Sequence, residues 1–423
     1  MAISVIPSVV SVDGRQLEED LAVLAEYGQA PMGGWTRPAF SPADMAARRY
    51  IIQRLRAVGL GVQRDEAGNV RARLPGREPG LPAVMSGSHL DSVPSGGRLD
   101  GPLGVAGALA AVEAIRKRGL VPRRSIEIVV FVAEEGSRFP RGTLGSSVLS
   151  GELEMADLLR LRDTDGTLYS EALAAYGDDA LFAGAVPLPA PAPAGSVHAF
   201  LELHIEQGAV LETAGIPIGA VTAINGLVQR SVTFTGDANH AGATPMTLRR
   251  DALLAAAEWA LAIERAAKEV GGGAVATVGR MEVLPGGRNI IPGRVDATCD
   301  LRAPTSELLD ALDARVSAAL ILAAARKVVV HERRLQRIDP GVMDEHCITR
   351  VEEAAHAAGH MSLRMPSGAI HDALNLSTVA PTSMVFVPSI RGRSHCPDEE
   401  TEPEHIVAGA TVLATALLAL AEE

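Results

Sequence analysis

Two apolar runs, each stopping on histidine or carboxylate, constrain this chain more than any other feature. The first covers residues 83–85 and leads into SGSHLDSVPSGGRLDGPLG at 86–104. An apolar, alanine-rich segment follows over residues 105–115. This reads as a buried strand ending at His89, a polar turn over 94–97 and a buried helix with Asp100 at its mouth. The second run, SIEIVVFVA at 125–133, is a continuous β-branched stretch that ends in Glu134, Glu135 and Gly136. Such a run reads as a central strand buried on both faces. Strand, helix and strand in that order make a βαβ unit of a parallel sheet. Ligands of open α/β sheets bind outside the carboxyl ends of the strands. His89, Asp100, Glu134 and Glu135 would meet on that edge, and histidine with carboxylate there points to a metal site.

The rest of the chain extends this pattern. Residues 15–28 and 42–58 read as amphipathic helices, the second with Ser41 as cap, Pro42 in its first turn and Gly59 after its end. Residues 62–74 alternate about Gly68-Asn69, a hairpin signal. Residues 143–184 read as short helices, and VPLPAPAPA at 186–194 as a stiff extended connector. FLELHIEQG at 200–208 is a further strand with polar residues at its end.

From about residue 215 the texture changes. Strands over 216–235, 274–284, 294–302 and 328–334 alternate with helices over 245–270 and 305–326, a ferredoxin-like order. Residues 345–423 return to α/β, with a helix at 345–358, a strand at 382–387, a polar loop at 388–404 and an apolar helix at 405–421. The expected architecture is α/β. A discontinuous catalytic domain over 1–214 and 335–423 carries a mixed sheet flanked by helices. A ferredoxin-like α+β domain is inserted at 215–334. No internal repeat is visible.

Composition narrows the function classes. The chain has 423 residues, enough for two or three domains at roughly 100–200 residues each. A formal net charge of −12 and 3% aromatic residues disfavour a nucleic-acid partner. Cys299, Cys347 and Cys396 lie far apart and outside any CxxC pair, which fits a reducing compartment. The amino terminus has no basic n-region, and no apolar run approaches the ~18 residues of a membrane span. The expected location is cytoplasmic.

The candidate chemistry rests on His89, Asp100, Glu134, Glu135, His204, His240, His371 and His395. Zinc accepts histidine nitrogen and carboxylate oxygen. Two ions ~3.5–4 Å apart can clamp the oxygens of a hydrolysis, with a neighbouring carboxylate as base. Successive side chains at a strand end point opposite ways, so Glu134 and Glu135 can divide those tasks. His198, His331, His356 and His360 read as structural. Arg302 is also compatible with a plain surface charge, and the loop SHCPDEETEP with an acidic surface.

Seven ordered motifs carry a resemblance: GSHLDSVPSGGRLDGPLGV, VAEEGSRF, ELHIEQG, ANHAGATPM, GRNIIPGRVDATCDLR, GAIHDA and SHCPDEET. Together they are similar to the amidase, hydantoinase/carbamoylase family, within the aminoacylase/carboxypeptidase-like di-zinc superfamily. The match spans roughly residues 15–420. The resemblance implies two divalent metal ions (Zn, or Mn, Co or Ni) bridged by Asp100. His89 and His204 would complete one site, Glu135 and His395 the other, with Glu134 as general base. It also implies a homodimer in which His240 reaches the partner's site. Asn289 and Arg302 would bind a substrate carboxylate, and Gln207 and His371 would line the substrate site.

The activity so implied is hydrolysis of the ureido C–N bond of an N-carbamoyl-L-amino acid, to amino acid, ammonia and carbon dioxide. Allantoate or a β-ureido acid is the alternative substrate, and an aminoacylase or dipeptidase reaction a further one. No nucleic acid or membrane is implied. The chain departs from the family's pattern at Ala369-Ile370, where a small residue is common, and at Cys396 after His395.

Overall fold

A computed structural model of the chain describes residues 9–177, 182 and 186–423. Positions 1–8, and the part of the 143–184 helical reading that falls on 178–181 and 183–184, lie outside the described residues. The chain divides by its internal contacts into two units: one takes residues up to Thr222, then 343–365 and 371–423, and the other takes 223–342 and 366–370.

The first unit is built on a mixed sheet flanked by helices. Its strands run in the order Gly61–Arg64, Val70–Leu74, Ile126–Phe131, Ala83–His89, Val197–Ile205, Thr382–Val387 and Ile218–Ile224, and the short strands Gly341–Val342 and Ser362–Ser367 both pair with the last of these. The four from Ile126–Phe131 to Thr382–Val387 are mutually parallel. Their neighbours on either side, Val70–Leu74 and Ile218–Ile224, are antiparallel to them. Three of the four parallel strands are buried at every residue, and Val197–Ile205 at all but its first two. This is the signature of a sheet covered on both faces.

Helix Pro403–Glu422 packs on helix Pro102–Lys117 and on three of these strands. It is long and apolar enough to cross a membrane by length and composition, yet most of it is buried inside the protein. The helix is longer than any apolar run expected from the sequence, because its apolar stretch over 406–421 is broken by Thr411 and Thr415 and flanked by Glu404, His405 and Glu422. Thr415 Oγ1 donates back to the Thr411 carbonyl and so hides its polarity within the helix.

The second unit is an antiparallel sheet in the order Val329–Ile338, Gly226–Thr235, Arg294–Ala303 and Val275–Leu284. Helices Ala252–Val270 and Ser306–Ala318 supply its core with Trp259, Ile263, Leu309 and Leu312, against Phe234 and Leu301 from the sheet. Each such buried side chain contributes about 1.5–3 kcal/mol. This is the expected ferredoxin-like order.

The boundaries differ from the expected ones for local reasons. The 216–235 stretch alternates without a break, yet it forms two strands parted at Asn225. Ile218–Ile224 pairs with Thr382–Val387 and Gly226–Thr235 with the second sheet. The division therefore falls one strand later than residue 214. The last strand runs on to Ile338, so the return falls later than 334 as well. Helix 245–270 starts only at Ala252, where Asp251 caps Leu253 and Leu254. Strand Ser362–Ser367 and helix Asp372–Leu376 are too short and polar to stand out in the sequence.

Candidate metal centre

The four parallel strands each deliver a candidate residue to the same edge of the sheet. His89 ends its strand, Glu134 and Glu135 follow Ile126–Phe131, His204 is next to last in Val197–Ile205, and His395 lies on the loop after Thr382–Val387. Asp100 sits in the turn before helix Pro102–Lys117. The turn needs Gly101: its φ is +81°, and a Cβ there would lie 2.5 Å from the His89 ring.

Asp100 is the hinge of the arrangement. Its Oδ1 lies 3.2 Å from His204 Nε2 and 3.5 Å from His89 Nε2. Its Oδ2 lies 3.2 Å from His395 Nε2, which is itself 3.5 Å from Glu135 Oε2. One carboxylate thus faces two groups, His89–Asp100–His204 and Asp100–Glu135–His395, in each of which the ligand atoms lie within 4.8 Å of one another. Glu134 Oε2 stands 3.7 Å from His89 Nε2.

The hydrogen bonds behind the rings test whether divalent ions fit. His89 Nδ1 lies 2.9 Å from the Asp91 carbonyl, and His204 Nδ1 lies 3.0 Å from the Ile205 carbonyl. Carbonyls only accept, so each Nδ1 carries a proton, and Nε2 is the atom each ring turns to the Asp100 carboxylate. Burial lowers both rings, but Glu134 and Asp100 outweigh it at His89 and Asp100 at His204, so both stand above the ordinary imidazole value and each Nε2 shares a proton or a metal ion with the carboxylate. His204 Nε2 and Glu135 Oε1 are buried and make no hydrogen bond. The donor set of nitrogen and carboxylate oxygen suits zinc and its neighbours in the first transition row. A third group, Glu202–His204–His371, is also compact. Glu202, however, already accepts from Ser88 Oγ (2.7 Å) and Ala373 N–H (3.1 Å), and His204 Nε2 is turned to Asp100.

The electrostatics point the same way. Burial pushes Glu134 well above the usual carboxylate range, and the charges of Asp372 and Glu135 add to it. Burial and then the Asp100 charge push Glu135 up to about 8. Burial would raise Asp100 too, but His204, His395 and His89 outweigh it and hold Asp100 well below its usual value. Burial holds His371 well below the ordinary imidazole value, so that ring is neutral. Ala133, Gln207 and His395 have φ of +53°, +60° and +54°, left-handed backbone at three segments that reach the site.

Gln207, expected to line the substrate site, donates from Nε2 to Asp100 Oδ2 at 2.6 Å. His371 is buried against the His204 ring, with centroids 4.5 Å apart. The sequence reading gave no role to Asp91, whose carboxylate accepts the N–H groups of Glu134 and Glu135 at 3.2 and 3.1 Å. Glu399 and Asp372 were likewise passed over. The only signal for Asp91 was its spacing, two residues after His89.

His240, Asn289 and Arg302 belong to the second unit. His240 is exposed, and its Nδ1 accepts the N–H groups of Gly242 (3.0 Å) and Ala243 (3.1 Å). The neutral ring is therefore protonated on Nε2, a donor directed away from its own turn. Asn239–His240 pairs with Ile290–Ile291, and Ala241 N–H donates to the Asn289 carbonyl at 2.9 Å, which sets Asn289 beside that turn. Arg302 donates from Nε to Asp300 (2.9 Å) and from Nη1 to the Gly368 carbonyl (2.8 Å).

Comparisons with known proteins agree over most of the chain. Peptidase family M20/M25/M40 matches residues 85–419. An N-carbamoyl-L-amino acid amidohydrolase of Geobacillus stearothermophilus is 40% identical over 403 residues, 95% of this chain and 97% of that protein. A ureidoglycolate hydrolase of Arabidopsis thaliana is 38% identical over 423 residues, 98% of this chain and 88% of that protein. The crystal structure of an amidase of the hydantoinase/carbamoylase family from Burkholderia multivorans has a TM-score of 0.93 at 40% identity, covering 98% of this chain and 99% of that one.

Proposed function

The chain belongs to peptidase family M20/M25/M40, on its hydantoinase/carbamoylase branch of amidohydrolases, and on that premise we propose that it hydrolyses the ureido C–N bond of an N-carbamoyl-L-amino acid. The products would be the amino acid, ammonia and carbon dioxide, and the working form a cytoplasmic homodimer. The observation that carries this reading is Asp100, one carboxylate turned to two ligand groups, with the buried Glu134 beside them.

His89, Asp100 and His204 would hold one divalent ion, and Asp100, Glu135 and His395 the other. Bound there, the ions supply Lewis acidity, polarising the ureido carbonyl and lowering the pKa of the attacking water. Glu134 takes the proton of that water and passes it to the leaving nitrogen. His240 offers its Nε2–H to the carbonyl oxygen as negative charge builds, a contribution of about 3 kcal/mol for one such donor. Arg302 and Asn289 bind the substrate carboxylate, Arg302 by its planar guanidinium, and Gln207 and His371 border the substrate.

The relatives split over what lies between ureido group and carboxylate, and the metal centre does not read that part. Ammonia release by Mn- or Zn-loaded protein from N-carbamoyl-L-methionine, N-carbamoyl-β-alanine, allantoate and ureidoglycolate tests the proposal, with a dipeptide and an N-acetyl amino acid as controls. Preference for the N-carbamoyl-L-amino acid is expected. Turnover of the controls alone would overturn the reaction class. Mixing His240→Ala chains with Glu134→Ala chains tests the dimer: activity returns in the heterodimer if His240 serves the neighbouring subunit, and stays absent if it serves its own.

A further inference from the structure

Glu399 is fully buried yet lies in a stretch rich in acidic residues, CPDEETEPE at 396–404. A buried carboxylate is costly unless its oxygens are matched. Here all the partners come from two places. Oε1 accepts the N–H groups of Leu99 (3.1 Å) and Asp100 (3.0 Å). Oε2 accepts Ser394 Oγ–H (2.8 Å) and His395 N–H (3.3 Å). Ser394 Oγ also lies 3.2 Å from Asp100 Oδ2. The approach is so close that a Cβ on Gly97 would fall 1.9 Å from Glu399 Oε1, so any side chain at 97 would have to displace that carboxylate. Next door, Glu400 pairs with Arg98 at 2.7 Å and pins the same two loops from outside.

We infer that Glu399 is a positioning residue that sets the distance between the Asp100 carboxylate and the His395 ring, and thereby governs occupancy of the Asp100–Glu135–His395 site. The inference rests on the two-ion reading above. His89 and His204 do not depend on Glu399: each ends or nearly ends a buried strand and is oriented by a backbone carbonyl through its own Nδ1. His395 is on a loop, its side chain is 50% exposed and its backbone is left-handed. Glu399 joins that backbone to the N–H groups of the turn carrying Asp100, with the Ser394–Asp100 and Glu400–Arg98 contacts beside it. Residues that orient ligands in this way typically alter metal affinity 10–100-fold when changed.

The test is a calorimetric titration of the metal-free protein with Zn²⁺ or Mn²⁺, with metal content measured after equilibrium dialysis. It compares wild type, Glu399→Gln and Ser394→Ala. Glutamine keeps the volume but turns an NH₂ toward one pair of donors. Wild type should bind two ions per chain. Glu399→Gln should keep the first and lose affinity for the second by about 10–100-fold, and Ser394→Ala should move the second in the same direction by less. Two ions bound as in wild type would overturn the inference, as would loss of both together. If Glu399→Gln does not fold by circular dichroism, Ser394→Ala decides by the same criterion. A wild type that binds no second ion would instead overturn the two-ion reading itself.

Discussion

His204 and His395 offer the same kind of nitrogen to the two oxygens of one carboxylate, at the same 3.2 Å, and what stands behind them differs throughout. His204 is 1% exposed, near the end of a strand, with its Nδ1 on a backbone carbonyl. His395 is half exposed on a loop, at a φ of +54°, and tied down through its own N–H to Glu399. The sheet makes one half of the centre rigid, because its ligands are consequences of strand pairing. The other half is assembled by long-range hydrogen bonds between loops. On the two-ion reading proposed above, the ion held by His89, Asp100 and His204 would be enclosed, and the one held by Asp100, Glu135 and His395 would face solvent.

The widest effect should come from the residue the two halves share. Asp100→Ala should abolish binding of both ions and all turnover, read by metal analysis and ammonia release; retention of either ion would break the bridge. Next, Glu134→Gln should retain two ions and lose kcat by at least about 10²-fold. Near-normal kcat would return Glu134 to a structural role. A smaller contrast separates the histidines. His395→Ala, which removes a half-exposed ring, should lower the unfolding midpoint of the metal-free protein only slightly. His204→Ala, which hollows a buried site, should lower the unfolding midpoint clearly, and equal shifts would erase the contrast. The smallest effect is one of order: during dialysis against a chelator, metal content should fall from two ions to one before it falls further, and simultaneous loss would argue against unequal halves.

Much of this was legible in the sequence because most of the candidate residues adjoin an apolar run; His395, on a polar loop, does not. His89, Glu134 with Glu135, and His204 each close a stretch whose burial could be read from side-chain type, and Asp100 stands at the mouth of an apolar helix. The ferredoxin-like order was legible from alternation. Asp91, Glu399 and Asp372 were not. Asp91 and Glu399 act on backbone N–H groups far away in the chain, such as Leu99 and Asp100 for Glu399, and Asp372 accepts Ser146 Oγ–H from a distant helix. No local pattern marks such a partner. Nor did the break at Asn225 show, because alternation continues across it and only the pairing of each half parts them.

The most direct test of the account is ammonia release from N-carbamoyl-L-methionine while the metal-free protein is titrated with Zn²⁺ or Mn²⁺. The account predicts that full activity is reached only as the second equivalent per chain binds. Full activity without metal, or at one equivalent with no further gain at two, would contradict it.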